Sequence, residues 1–467
     1  MERKWKFCFV LIMISLFMMT GIVSAGETKE KEESVKLEKI VVTAQDDEAI
    51  TLSPTTTTIN VDKYVATGSV QTIQDLLTEV PGVEIQKSSV GASAHETVLL
   101  RGFDTEEFLV TIDGRPITGV SGSLNLPVDW SSLSLDGVEK IEVTKGASSA
   151  VYGDTFGGVI NIVMKKGVKT RTLRPKISGE AEIAEYDSQT YRLNVSGGVG
   201  TFLYSLSGGY RHSDGYLRHN YFDGNDSNIR LTYLTPTGGS LNFGWKRNDV
   251  ETGYPVANDP DDPLSQYDPG YPIVRGDADV GRQTGNSVCY VGGLSYFARI
   301  TNYWDFSYDQ PTVKWGTFKT QFYIDRADPH DYEYAYSYDS KTKTWVMEQS
   351  VREGDNVDTR TWGAKFSHEI KLAKGHNLIW GLEHSNLGQT SRRKWIATTS
   401  SYIQDAWDIT QKLNLTLGFR YAYQTVDFKE DRYTYREPQP KSILTYKFTP
   451  ETSGYISVSR AFSGLAC

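Results

Sequence analysis

The feature that most restricts how this chain can fold is an alternation of apolar and polar residues along segments of about ten residues. It starts after Lys176 and recurs towards the end of the chain, with turn residues between the segments. The clearest segment has an apolar residue at every second position: Leu413, Leu415, Leu417, Phe419, Tyr421 and Tyr423. A period of two is that of a β-strand with one apolar face. Residues 171–467 therefore predict a large antiparallel sheet.

The connections between these segments alternate between short and long. Residues 198–201, 235–239 and 408–412 are short connections, whereas residues 211–226 and 251–284 are long ones. Bacterial outer-membrane barrels have short periplasmic turns and longer external loops. Aromatic residues make up 12% of the chain and there are 42 glycines, which suits many strands joined by turns. The pattern favours a transmembrane barrel over a soluble sandwich or propeller.

The first 25 residues are typical of a cleaved export signal. A basic start precedes the apolar run Phe7–Met19, and small residues at 23–25 form a cleavage site. The run is shorter than the ~20 residues that a transmembrane helix needs, and no later stretch is long and apolar enough. We therefore expect an exported protein that crosses a membrane with strands.

Two further regions precede the large sheet. Residues 26–48 contain the charged stretch ETKEKEESVKL, which indicates a flexible leader. Residues 49–170 mix short β-branched runs with the amphipathic segment Ser69–Val80, and the buried strand predicted within residues 157–167 ends this region. We expect one small α+β domain here.

The sequence contains no catalytic constellation. The net charge of −9, without a long run of Lys and Arg, argues against a nucleic-acid partner. Seven histidines are scattered, no CxxC is present, and the glycines of residues 152–158 precede a strand rather than a helix. Cys8 leaves with the signal, and Cys289 with Cys467 predict neither a disulfide framework nor a metal site. We expect neither an enzyme nor a bound cofactor.

Five segments resemble the family of TonB-dependent outer-membrane receptors. EKIVVTA (38–44), LLTEVPGVEIQ (76–86), VLLRGFDTEEFLVTIDGRPI (98–117) and VEKIEVTKGASSAVYGDTFGGVINIV (138–163) resemble, in this order, the TonB box and the plug domain. YIQDAWDITQKLNLTLGFRYAY (402–423) resembles a strand pair of the family's barrel. The resemblance implies a mainly-β fold, a transmembrane antiparallel β-barrel with an N-terminal α+β plug domain.

What the resemblance implies about function is the active import of a scarce metal chelate across the outer membrane of a Gram-negative bacterium. A ferric siderophore and a cobalamin-type corrinoid are the expected substrates, with haem less favoured. The expected partners are TonB with its inner-membrane energising complex, the small metal-chelate ligand and outer-membrane lipid. The segment 38–44 is short, β-prone and tethered, so it can add a strand to the edge of another protein's sheet. The residues expected to bind TonB are Glu38, Lys39, Ile40, Val41, Val42, Thr43 and Ala44.

The residues that match plug motifs are expected to be structural rather than ligand-binding. They are Arg101, Gly102, Asp113, Gly114, Glu142, Lys145, Gly146, Tyr152, Gly153, Gly157 and Gly158. Asp113-Gly114 predicts a hairpin turn. For Arg101 and Glu142 we expect a buried ion pair within the plug.

Candidate ligand contacts are the polar hairpins around Ser88–Glu96 and Thr118–Asn125, which are equally compatible with solvated turns. The candidate residues are Ser88, Ser89, His95, Ser121, Ser123 and Asn125. Residues 119–126 resemble the cobalamin-transporting branch of the family. The predicted external loop 254–272 carries Asp259, Asp261, Asp262 and Asp268, which could ligate calcium. A solvated acidic loop is the favoured interpretation, because the spacing fits no EF-hand.

The strand number departs from the family. About 14 strands are predicted from Lys176 onward, whereas plugged outer-membrane transporters have about 22. The chain also ends RAFSGLAC rather than on an aromatic residue. We therefore expect a truncated or frameshifted product, with an incomplete barrel. The alternatives are a non-functional truncated receptor, or a TonB-independent barrel such as a porin or an adhesin. A signalling transducer of the same superfamily would need a larger N-terminal domain than residues 26–37 could hold.

Overall fold

A computed structural model describes most of the chain beyond the leader. The described residues are 50–52, 55–65, 72–86, 97–104, 107–117, 128, 130, 133–146, 149–153, 155–167, 175–253, 255, 258–261, 267–275, 288–290, 296–339, 341–351, 358–372, 375–389, 394–428, 430–449 and 452–461. The predicted export signal, the predicted TonB box and all six candidate ligand contacts lie outside these residues, as do Asp262 and Cys467.

In its described residues, a small domain spanning 50–164 contains two short helices and eight strands. Its elements are β1 (Ile50–Leu52), β2 (Thr56–Asn60), α1 (Val61–Val65), α2 (Ile73–Leu77), β3 (Val83–Gln86), β4 (Thr97–Leu100), β5 (Phe108–Ile112), β6 (Arg115–Pro116), β7 (Val138–Lys145) and β8 (Gly158–Met164). Six strands form one sheet in the order β1-β2-β7-β8-β5-β6, with β5 and β8 parallel. β3 and β4 form a separate antiparallel pair. The α+β prediction for this region is confirmed.

The core of the small domain forms between α2 and the six-stranded sheet. Thr72 caps α2 by accepting a hydrogen bond from the Asp75 amide, and the Asp75 side chain accepts one from the Thr72 amide. The helix buries Ile73, Leu76 and Leu77 and lies within the segment Ser69–Val80 that was predicted to be amphipathic. No helix in the described part of the chain is long and apolar enough to cross a membrane.

The rest of the described chain forms one large antiparallel sheet. Its strands are β9 (Lys176–Ala184), β10 (Ser188–Val199), β11 (Phe202–Ser213), β12 (Phe222–Leu234), β13 (Ser240–Gly253), β14 (Val288–Tyr290), β15 (Tyr296–Thr312), β16 (Gly316–Asp339), β17 (Thr344–Val351), β18 (Thr359–Leu372), β19 (His376–Gln389), β20 (Lys394–Asp408), β21 (Leu413–Phe428), β22 (Asp431–Lys447) and β23 (Ser453–Ser459). Each long strand pairs with the next long strand along the chain, from β9 to β23. The short strands β14 and β17 both pair with the extended end of β16.

Burial in the large sheet is the inverse of that in a soluble protein. Along β12, Asp226, Asn228 and Arg230 are buried, whereas Leu231 and Tyr233 are each 36% exposed. The same alternation runs through β13 and β21. The apolar face is free for lipid, and the polar face is covered by protein. The prediction of a mainly-β fold dominated by one large antiparallel sheet is confirmed.

Candidate functional site

The polar face of the large sheet contacts the small domain along strands from β10 to β22. Charged side chains at inward positions of these strands reach the turns and exposed backbone of the small domain. They are Arg192, Arg230, Lys246, Asp325, Lys365, Arg420 and Lys441, all but Lys365 less than 9% exposed. We call this contact surface the inner interface. It brings buried charges of the large sheet against the small domain, so it is the candidate functional site.

The β5–β6 hairpin is the first anchoring point of the inner interface. Asp113 and Gly114 have φ of 51° and 77°, as a two-residue hairpin turn with both residues left-handed requires. The Asp113 carboxylate accepts a hydrogen bond from the Met164 amide at 3.0 Å on one oxygen. Its other oxygen pairs with Arg230 Nη2 at 2.5 Å. The turn is thus fixed to β8 of its own domain and to β12 of the large sheet at once.

Arg115, the residue after this turn, forms a buried ion pair with the large sheet. Its Nη1 lies 2.6 and 2.7 Å from the two carboxylate oxygens of Asp325 in β16, and its side chain is 1% exposed. The rings of Tyr303 and Tyr323 flank the guanidinium at 5.3 and 5.6 Å. Burial lowers the pKa of Arg115, but the facing carboxylates outweigh it and the net shift is upward. The guanidinium therefore stays charged, and its charge is matched by Asp325.

A second anchoring point is the segment 149–153, whose backbone is held by side chains of the large sheet. Lys441 Nζ donates to Ser149 O at 2.6 Å and to Tyr152 O at 3.3 Å. Arg420 Nη1 donates to Val151 O at 3.2 Å. The Ala150 amide donates to Gln404 Oε1 at 2.9 Å. Strands β20, β21 and β22 thus replace the hydrogen bonds that this irregular segment would otherwise make with water.

Lys365 in β18 lies between the two anchoring points. Its Nζ donates to Gly114 O at 3.3 Å and lies 5.3 Å from the centre of the Tyr152 ring. Burial raises the pKa of the Tyr152 phenol above its usual range, so the ring stays neutral. At Gly153 an added Cβ would lie 2.5 Å from Arg420 Nε, so only glycine lets the backbone approach this guanidinium.

Asp136 forms a third contact, and its carboxylate lacks hydrogen bonds. It is 2% exposed, and neither carboxylate oxygen has a hydrogen-bond partner in the described part of the protein. Arg192 Nε lies 3.9 Å away. Burial raises the pKa of Asp136, and the nearby Asp226 raises it further, against the effect of Arg192 and Lys246. Lys246 itself donates to Ser134 O at 3.3 Å.

The structure divides the residues predicted from plug motifs into two groups. Asp113, Gly114, Tyr152 and Gly153 belong to the inner interface. The others lie within the small domain: Arg101 and Gly102 in a turn with φ of 58° and 82°, Lys145 at the end of β7, Gly146 beside it, and Gly157 and Gly158 at the start of β8. Burial and the neighbouring Arg101 lower the pKa of Lys145.

The predicted buried ion pair of Arg101 with Glu142 is wrong. The side chain of Arg101 is exposed. Glu142 instead pairs with Lys140, its neighbour two residues away on the same face of β7, and accepts a hydrogen bond from Asn161 Nδ2 at 3.0 Å. Lys140 lies on the same face of β7 as Glu142 and is therefore its nearer partner, whereas the side chain of Arg101 is exposed.

The acidic external loop shows no calcium-binding arrangement among its described residues. Asp261 pairs with Arg275 at 2.9 Å, and Asp268 accepts a hydrogen bond from the Gly270 amide at 2.8 Å. Asn258, fully buried, donates to three backbone carbonyls of residues 268–272. No group of three metal-ligating side chains in the described regions includes Asp259, Asp261 or Asp268.

Comparison with known proteins places both parts of the chain in one family. Residues 49–159 match the model of the TonB-dependent receptor plug domain, and residues 235–465 match that of the TonB-dependent receptor-like β-barrel. The vitamin B12 transporter BtuB of Vibrio vulnificus is 26% identical over 226 residues, which are 46% of this chain and 33% of that protein. The chain thus spans about a third of the length of this curated relative.

Solved structures with the same fold include two receptors. The ferric-catecholate import receptor Fiu from E. coli has a TM-score of 0.65 at 15% identity, covering 89% of this chain and 70% of that one. The ferripyoverdine receptor of the outer membrane of Pseudomonas aeruginosa has a TM-score of 0.64 at 17% identity, covering 88% of this chain and 57% of that one. At such identities the likeness establishes the fold.

Proposed function

We propose, from the premise that this chain belongs to the TonB-dependent receptor family, that it takes part in active import of a scarce metal chelate. The family consists of β-barrel proteins of the outer membrane of Gram-negative bacteria, and this chain resides in that membrane. The large sheet is the barrel wall and the small domain is the plug. The proposed substrate is a ferric siderophore or a cobalamin-type corrinoid, because the curated relative transports vitamin B12 and the solved receptors take ferric chelates.

The observation that carries the proposal is the inner interface. The pairs Arg115–Asp325 and Asp113–Arg230 are buried between plug and wall, and Lys441 and Arg420 hold the plug backbone. Opening a path past the plug requires several buried charges to separate at once. Breaking one such pair costs about 3–5 kcal/mol when a charge is left buried. Separating several such pairs exceeds the roughly 1–3 kcal/mol by which a ligand typically shifts a conformational equilibrium, so the opening step needs external work. A porin needs no plug.

The proposed source of that work is TonB, energised from the inner membrane. Residues 38–44 precede β1 by a few residues, so a strand captured there would transmit force directly into the plug. β1 is the edge strand of the six-stranded sheet and pairs only with β2 along that sheet's order. Force applied at the leader therefore meets an edge strand of the plug first.

A reversible cross-link between plug and wall tests whether the plug has to move. An added Cβ at Gly418 would lie 2.9 Å from Ala150 Cβ, close to the ~3.5–4.5 Å of a disulfide. Oxidised Ala150→Cys/Gly418→Cys receptor should bind ligand at the cell surface but import none, and a reductant should restore import. The two single variants are the matched controls. Full uptake by the oxidised double variant would refute the plug-movement mechanism.

The substrate class needs a separate experiment. Cells that lack other outer-membrane uptake routes should grow on one of a panel of ferric siderophores, cobalamin or haem only when they express this receptor. Rescue by a single ferric siderophore or by cobalamin alone would identify the class. Rescue by haem alone would overturn the proposed substrates, and equal rescue without TonB would overturn the energy-coupled mechanism.

A further inference from the structure

Three metal-ligating side chains converge where the first strands of the barrel wall end. Asp187 lies in the turn between β9 and β10, His212 near the end of β11, and Asp214 just after that strand. One ligand atom from each lies within 4.8 Å of the other two. We call these residues the His212 cluster. They are outside the inner interface and carry no part of the proposed import mechanism.

The backbone brings these side chains together. The Asp214 amide donates to Tyr186 O at 2.8 Å, which ties the end of β11 to the β9–β10 turn. Ser188 Oγ and Ser213 Oγ are 2.9 Å apart, and His212 is the direct cross-strand partner of Gln189. The arrangement is therefore fixed by strand pairing rather than by chance contacts of long side chains.

His212 is oriented as a metal-binding imidazole usually is. Its Nδ1 lies 3.1 Å from Asp223 Oδ1 at the start of β12, and its ring is parallel to that of Tyr210 at 6.4 Å. A carboxylate that accepts the Nδ1–H leaves the Nε2 lone pair free as a ligand. That Nε2 faces Asp214 Oδ1 at 3.4 Å and Asp187 Oδ2 at 3.8 Å.

The charges of the cluster call for a cation. Three carboxylates surround one imidazole, and no lysine or arginine in the described regions forms an ion pair with Asp187 or Asp214. Three acceptor atoms within 4.8 Å of one another repel each other unless a proton or a metal ion lies between them. A single proton on His212 leaves the group with an excess of negative charge, whereas a divalent ion neutralises more of it.

We propose that the His212 cluster binds a divalent transition-metal ion of the zinc class, with Asp187, His212 and Asp214 as ligands and Asp223 orienting the imidazole. Mixed nitrogen and oxygen ligands suit such an ion, whereas calcium takes six to eight oxygens. Ligand atoms on a tetrahedral Zn²⁺ lie about 3.4 Å apart, given bonds of about 2.1 Å. Asp187 and Asp214 are 59% and 60% exposed, so both can rotate inward to that distance.

Equilibrium dialysis of the purified full chain in detergent against Zn²⁺, followed by elemental analysis, tests the proposal. We expect a saturable Zn²⁺ site, bound at one ion per chain, that is absent or at least roughly tenfold weaker in Asp214→Asn and His212→Gln. A millimolar excess of Ca²⁺ should not displace the ion. Asp214 is exposed, so its variant should fold even if His212→Gln does not, and it then carries the test alone.

His376→Gln is the matched control. His376 Nδ1 lies 2.7 Å from one carboxylate, that of Asp405, and its ring lies parallel to Trp407, but no further acidic side chain faces it in the described region. This variant should bind Zn²⁺ as the parent does. No saturable Zn²⁺ binding by the parent, or undiminished binding by Asp214→Asn, would overturn the proposal. Displacement by Ca²⁺ would overturn the assigned class of ion.

Discussion

At the scale of single residues, the Arg115–Asp325 pair should dominate the attachment of the plug. Asp325→Asn leaves the buried Arg115 guanidinium without its ion-pair partner, which should lower the free energy of unfolding by about 3–5 kcal/mol. Denaturant unfolding of the purified protein would measure this loss. Hydrogen exchange of β5, β6 and β8 would show whether the plug loosens first.

The control for this prediction is an ion pair at the edge of the same interface. Lys166 and Asp309 are 4.0 Å apart, and the lysine is 41% exposed. Asp309→Asn should therefore cost less than about 1 kcal/mol. Similar losses in the two variants would mean that burial of the Arg115 pair does not matter to stability.

Asp136 predicts a pH dependence of stability with a definite sign. Because burial and Asp226 raise its pKa, the folded protein keeps this proton at pH values where the unfolded chain, with a pKa of about 3.9, has lost it. The contribution of Asp136 to the unfolding free energy therefore falls as the pH rises from about 4 to the raised pKa. Asp136→Asn removes this titration, so its stability should fall less between pH 4 and 8 than that of the parent. Parallel pH curves would contradict the assignment.

The turns could be predicted from the sequence, but the ion-pair partners across the inner interface could not. The left-handed pair Asp113-Gly114 follows from local backbone chemistry, which the sequence shows directly. Arg115 and Asp325 are 210 residues apart, so nothing local marks them as partners. One sequence signal for the inner interface was present: a charged residue at an inward position of a strand whose outward positions are aromatic. Arg420, between Phe419 and Tyr421, is an example. The prediction of an Arg101–Glu142 ion pair failed because the sequence does not show in which direction a turn exposes a side chain.

At the scale of secondary-structure elements, we expect the middle of a strand to tolerate no charged side chain on its outward face. Phe419 lies near the centre of β21 and is 45% exposed on the apolar face. Phe419→Arg should destabilise the membrane-inserted protein by about 2–4 kcal/mol, because a guanidinium would then face hydrocarbon. The shift of the unfolding midpoint in lipid vesicles would measure this.

An arginine near the end of a strand is the matched comparison. Tyr433 is 51% exposed and is the third residue of β22. Tyr433→Arg should cost only about 0–1 kcal/mol, since lipid headgroups and water lie within its reach. Equal costs at the two positions would mean that this face of the sheet does not meet lipid.

Strand periodicity predicted most of the large sheet, because a lipid-facing side imposes an unbroken period of two. About 14 strands were expected, and the structure has 13 in its continuous pairing order with β14 and β17 in addition. These two short strands pair only with the extended end of β16, beyond the neighbouring strands. Their formation depends on how far β16 extends beyond its neighbouring strands, and the apolar–polar periodicity of the sequence does not show this.

At the scale of the whole molecule, the inner interface joins residues that are far apart along the chain. Lys441 contacts residue Ser149, and Asp325 contacts Arg115, so wall and plug depend on each other for burial of their charges. A loosened plug leaves charged residues of the wall without partners. If the chain imports a ligand as proposed, the plug should therefore return to the closed state as soon as the external force ends.

That force should enter through the leader, and Val41 provides the sharpest test. If residues 38–44 add a strand to a sheet of TonB, the affinity comes mainly from backbone hydrogen bonds, so most side-chain changes there should be mild. Proline removes an N–H donor and does not fit the interior of a strand. In a complete receptor, Val41→Pro should abolish ligand uptake in cells and leave ligand binding at the cell surface nearly unchanged, whereas Val41→Ala should do much less. Equal loss of binding and uptake would instead place this segment in the plug's own sheet, and undiminished uptake by the proline variant would remove the TonB box from the mechanism.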